Sequence, residues 1–172
     1  MLSKKIETSL NKQIRIEAES SQIYLSMACW AEIQGLEGVA QFMYKQSDEE
    51  RLHMLKLIKY VNERGGNTII TDLNAPKTSF GTFKEMFREL YQHELFVSQS
   101  INELVHVAFE EKDYATHNFL QWYVAEQIEE EAQAKTILDK INLIGDDKGG
   151  LYLFDRDIQQ ITVTSSIGIN KN

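Results

Sequence analysis

Apolar side chains recur at helical spacing along four long stretches of this chain, and its only proline, Pro76, stands outside all of them. Such stripes are buried most simply by packing helix on helix, since a period near 3.6 gathers residues i, i+3, i+4 and i+7 on one face. The first stretch, about Lys5 to Gln34, aligns Ile6, Leu10, Ile14, Tyr24, Leu25 and Ala28. The second, about Val39 to Arg64, aligns Phe42, Leu57, Tyr60 and Val61. A third, about Phe83 to Glu111, carries Phe83, Phe87, Leu90, Val97, Ile101 and Leu104. The fourth, about Tyr114 to Ile144, carries Leu120, Tyr123, Ala134, Ile137 and Ile141. Gly35-Leu36-Glu37-Gly38 and Lys112-Asp113 read as short turns inside two helical hairpins. Leu151 to Ile161 reads as a short fifth helix, and residues 163–172 as a polar tail.

Residues 67–82, which hold Pro76, lack helical periodicity and are long for a simple connection. Extended, this link would reach ~50 Å. The second helix would be only ~39 Å long. The link can therefore run the whole length of a bundle and leave the second and third helices parallel. The expected architecture is all-α: a four-helix bundle with one long crossover and a short fifth helix, a single domain over residues 1–162.

Charge narrows the function classes. Of 172 residues, 26 are acidic and 18 basic, a formal net charge of -8. That balance argues against a nucleic-acid or anionic-membrane partner and is compatible with handling cations. One cysteine, Cys29, precludes an intramolecular disulfide framework and suits a reducing compartment. The first residues have no signal-peptide apolar core, and no apolar run is long enough to span a membrane. The expected location is the cytoplasm.

Carboxylates interrupt the stripes where the period calls for apolar residues. Glu17 does so in the first helix, Glu94 in the third, and Glu130 with Gln127 in the fourth. In the second helix Glu50 and His53, an i,i+3 pair, share a face with Gln46 and Leu57. Counted from the hairpin turns, Glu94 and Glu130 lie at ~26 and ~24 Å, and Glu17 at ~26 Å against ~17–21 Å for Glu50 and His53. These depths allow one central cluster. Four buried acids need compensating charge, and no Lys or Arg falls on those faces. Two divalent ions would balance them, and a carboxylate–imidazole donor set suits iron or manganese.

Ile16-Glu17-Ala18-Glu19 with Tyr24, Asp48-Glu49-Glu50-Arg51-Leu52-His53, Tyr91-Gln92-His93-Glu94, and Gln121-Trp122 followed by Glu126-Gln127-Ile128-Glu129-Glu130 together resemble the bacterial non-haem ferritins. The resemblance covers about residues 1–162. It implies that Glu17, Glu50 and His53 bind one iron, and that Glu50 bridges to a second held by Glu94 and Glu130 beside Gln127. Tyr24 matches a tyrosine near this ferroxidase centre, and Glu49, Glu126 and Glu129, with Glu130, match a third iron site. It further implies Fe(II) oxidation by O2 or H2O2 and storage of ferric mineral in a shell of 24 subunits. The chain departs from bacterioferritins, which resemble it but carry a second Glu-x-x-His on the fourth helix and a haem-ligating methionine where Leu52 stands; haem is not expected.

His93 is expected to point away from the cluster, His106 and His117 to be surface groups, and Cys29 beside Trp30 to be a packed thiol. Trp122 reads as packing. Glu110, Glu111 and Asp113 read equally as an iron entry channel or a solvated helix end. Two other functions compete: a small di-iron redox enzyme related to rubrerythrin, against which the lack of a rubredoxin-type CxxC weighs, and a metal-free helical scaffold.

Overall fold

The computed structural model describes residues 1–161; the expected tail, 163–172, lies outside the described residues. Among the described residues five helices follow in order: α1 (Lys4–Ile33), α2 (Glu37–Glu63), α3 (Phe83–Glu110), α4 (Tyr114–Ile144) and α5 (Lys148–Ile158). Among the described residues there is no strand. No described helix is long and apolar enough to cross a membrane. The pairs α1–α2 and α3–α4 pack as hairpins, and α1 against α3 joins them.

Local chemistry sets the boundaries. Ser3 caps α1 by accepting from the Ile6 amide, and Asp113 caps α4 by accepting from Thr116. Thr82 and Glu85 form a reciprocal capping box at the start of α3. At the end of α1, Gly35 takes φ +74°, the Gly35 amide bonds to Glu32 O and the Leu36 amide to Ala31 O. That left-handed stop turns the chain straight into α2. Gly38 was expected in this turn but belongs to α2, where it has a different use: a Cβ there would stand 1.7 Å from the carbonyl oxygen of Asp155 in α5.

The crossover is tied along α1 in order. The Asn67 amide donates to Glu7, the Ile69 amide to Asn11, Asn74 to Glu19, and Ser26 donates to the Lys77 carbonyl. From Glu7 to Ser26 is ~28 Å of helix. The link thus climbs the bundle and delivers α3 to the end at which α2 began, so α2 and α3 run parallel. Phe80 pins the link, buried edge-on against Trp30 at 5.8 Å.

Two apolar clusters fill the bundle. One holds Tyr24, Met27, Phe42, Met43, Phe87, Ile137 and Phe154; the other holds Leu10, Ile14, Leu57, Val61, Ile101 and Leu120. Between them lies a buried polar layer. Two expectations about the first helix are corrected. Leu25 is 37% exposed, because it sits ~100° from Tyr24 around the helix and only one of the pair can face the core. Cys29 is likewise exposed rather than packed, since Ala28 takes the inward position. The fifth helix starts at Lys148, earlier than expected, because Asp147 accepts from the Gly149 and Gly150 amides and draws them into its first turn.

Candidate metal centre

The polar layer is built from inward positions on all four helices of the bundle, one each on α1 and α3 and two each on α2 and α4. Glu17, Glu50, His53, Glu94, Gln127 and Glu130 are all buried. One oxygen each from Glu17 and Glu50 and one ring nitrogen of His53 lie mutually within 4.8 Å. Glu49, His53 and Glu126 form a second such group, so His53 stands between the two. Glu129 is exposed and outside both groups, one residue and therefore ~100° of helix away from buried Glu130.

Glutamines hold the carboxylates. Gln13 Nε2 donates to Glu17 Oε1 at 3.0 Å, Gln46 Nε2 to Glu130 Oε2 at 3.2 Å, and Gln127 Nε2 to Glu94 Oε2 at 3.3 Å. The Tyr24 hydroxyl donates to Glu94. His53 is fixed from several sides: Nδ1 is 3.4 Å from Glu50 Oε2, the Tyr123 hydroxyl donates to its backbone carbonyl at 2.8 Å, and the Trp122 ring stands edge-on at 5.2 Å. Lys56 lies over Trp122, 3.3 Å from the ring centroid, at the edge of the layer towards Glu126. A basic side chain therefore does approach the acids, from a position three residues past His53.

The electrostatics are those of acids crowded together out of water. Burial, followed by the charge of Glu50, drives the Glu17 carboxyl well above the usual range. Burial and then Glu94 do the same to both Glu50 and Glu130. Glu94 is held at about 7, by burial against the opposing hydrogen bond from Tyr24. Glu17 Oε2, Glu50 Oε2 and His53 Nε2 are buried without a hydrogen-bond partner among the described residues. Unmet oxygen and imidazole acceptors converging in one layer fit a divalent metal ion, which neutralises charge and fills empty coordination at once.

His93 sits apart from the acid cluster. Its Nε2 is 2.8 Å from Ser20 Oγ, its ring stands edge-on to Tyr24 at 5.6 Å, and burial lowers its pKa to about 4. His106 is exposed and 3.2 Å from Glu110. Lys5 pairs with Glu110 at 2.9 Å and lies 3.9 Å from Glu111, and Arg64 pairs with Asp113 at 3.0 Å, so all three acids at this helix end have basic partners within the subunit. Gln13 and Ser100 escaped the sequence reading. A usable signal existed, since Gln13 precedes Glu17 by one turn as Gln46 precedes Glu50, but a lone glutamine reads as surface.

The model of the ferritin-like domain matches residues 7–144. A probable bacterial non-heme ferritin-like protein of Haemophilus influenzae is 44% identical over 162 residues, covering 94% of this chain and 98% of its own length. A bacterial non-heme ferritin of Campylobacter jejuni is 42% identical, with 95% and 98% covered. Among solved structures, an open pore ferritin from the hyperthermophilic archaeon Archaeoglobus fulgidus superposes with a TM-score of 0.92 at 41% identity, over 94% of this chain and 100% of that one.

Proposed function

This chain belongs to the ferritin-like domain family, and from that premise we propose that it oxidises Fe(II) within each subunit and stores the ferric product in a shell of 24 copies. The observation that carries the reading is the buried cluster of Glu17, Glu50 and His53, in which one ligand atom from each lies within 4.8 Å of the others, and in which Glu17 Oε2, Glu50 Oε2 and His53 Nε2 make no hydrogen bond among the described residues.

In this reading Glu17, Glu50 and His53 bind the first Fe(II), and Glu50 bridges to a second held by Glu94 and Glu130 with Gln127 beside it. Tyr24 acts on the Glu94 carboxylate through its hydroxyl. Two Fe(II) give two electrons, which with two protons reduce O2 to H2O2, or H2O2 to two waters. Glu49, Glu126 and Glu129, with Glu130, take a third iron passing inward. The grouping of Glu49 and Glu126 with His53 supports that path, while exposed Glu129 would reach it from the rim. Ferric hydrolysis releases protons and deposits mineral in the cavity, which a lone subunit cannot enclose. No haem enters this scheme, since Leu52 offers no ligand atom. The proposed compartment is the cytoplasm, which the lone thiol suits.

Sizing the purified protein and counting iron after aerobic Fe(II) addition tests the whole. A large shell that retains many irons per subunit is expected. A monomer or dimer, or a shell that keeps only about two irons per subunit, would favour a redox enzyme instead. Replacing both Glu50 and His53 with Ala should leave the assembly intact and slow initial oxidation more than about ten-fold. Unchanged initial kinetics would remove these residues from the site.

A further inference from the structure

Gln13 has no role in the scheme above, yet it is only 2% exposed and reaches the layer directly. A carboxamide is two-sided: its oxygen only accepts and its nitrogen only donates. Ser100 of α3 donates to Gln13 Oε1 at 2.7 Å, which turns the NH2 group inward, where it donates to Glu17 Oε1 at 3.0 Å. A flipped amide would set its oxygen against an ionised carboxylate, so the observed orientation is the one that suits a charged Glu17. Ser100 is itself buried and anchored at 3.0 Å to the Val97 carbonyl. Of the two Glu17 oxygens, Oε1 therefore already accepts a hydrogen bond, while Oε2 is buried without a hydrogen-bond partner among the described residues.

We propose that Gln13, oriented by Ser100, is a positioning residue that makes Glu17 a one-oxygen metal ligand: the amide retains Oε1 and leaves Oε2 for the ion shared with Glu50 and His53. The inference rests on the di-iron reading and deepens it. One-oxygen ligation keeps the coordination number at the first ion low, which leaves room for the oxidant and for release of Fe(III). Without the amide, the carboxylate can rotate and chelate with both oxygens.

Co(II) is the probe, because its visible d–d bands weaken as coordination number rises and it needs no oxidation step. Gln13→Leu, checked for helicity and assembly size, should weaken the bands of the first bound Co(II) roughly two-fold or more and shift them. Ser100→Ala, which removes only the orienting hydroxyl, should move them in the same direction and stands in if Gln13→Leu misfolds. Ser100→Thr, which restores the donor, should keep the wild-type spectrum. Wild-type bands in a folded Gln13→Leu or Ser100→Ala variant overturn the proposal, whatever happens to melting temperature. Glu17→Ala separates the two levels. Loss of the first Co(II) there upholds the di-iron reading on which the inference stands; wild-type binding there overturns both.

Discussion

Glu94 titrates at about 7 because burial strips its carboxylate of water, and Tyr24 recovers only part of the loss. Its unfolded counterpart titrates near the ordinary glutamate value of 4.5. Between those values the folded subunit binds more protons than the unfolded chain, so metal-free stability falls as pH rises through this window. Burial also raises Glu17, Glu50 and Glu130 well above the usual carboxylate range, and they add to the same slope. The melting temperature of the chelator-treated protein should therefore drop from pH 5 to pH 7.5, and added divalent metal should restore more of it at the upper end, where proton release is no longer costly. A metal-free melting temperature that rises steadily over that range would contradict the burial of these acids. At this scale the cluster was legible because an acid at a core phase is anomalous, and four such anomalies at compatible depths reinforce one another. Leu25 and Cys29 were misjudged for the converse reason. An apolar or small residue beside the stripe produces no anomaly, and its side follows only from its neighbour's claim on the interior.

The helices themselves were legible almost to the residue, since long stripes with glycine and polar breaks leave few alternatives. The crossover direction was legible from length alone, while its attachment to Glu7, Asn11, Glu19 and Ser26 of α1 depends on side-chain partners that no local pattern announces. The docking of α5 was hidden more deeply. Gly38 looks like part of a turn, but its work is to let the α5 backbone approach α2, where Asp155 Oδ1 also accepts from the Val39 amide at 2.9 Å. A methyl group at 1.7 Å from a carbonyl oxygen requires the backbones to separate, and that separation also breaks the Asp155 bond. Gly38→Ala should cost about 1–3 kcal/mol as an overpacked contact. For a chain of this size that corresponds to a fall of roughly 2–12 °C in subunit melting temperature. Limited proteolysis should show cleavage moving into α5 while the Co(II) spectrum of the distant metal layer stays as in the wild type. An unchanged melting temperature would mean that α5 does not rest on α2 as described.

On the scale of the whole molecule, the proposed oxidation and the storage of iron place different demands on the chain. Every residue proposed to bind iron comes from one subunit, so oxidation requires only the folded bundle. Retaining mineral requires a wall, and the subunit displays apolar surface suited to building one. Leu143 at the end of α4 is 88% exposed, and with Leu153 of α5 it lines a surface cleft floored by Phe154 and Ile158. Placing charge on both, as Leu143→Lys with Leu153→Lys, would oppose burial of this face against another copy, because an unpaired buried cation costs several kcal/mol. The double variant should sediment as small species and still oxidise Fe(II) at close to the wild-type initial rate per subunit. Its ferric product should then precipitate and be removed by centrifugation, whereas the wild type keeps its iron in solution. Assembly that survives both charges would exclude this face as a contact. A small species that assembles poorly and also fails to oxidise Fe(II) would show that the proposed metal layer depends on neighbouring copies, contrary to its construction from four helices of a single chain.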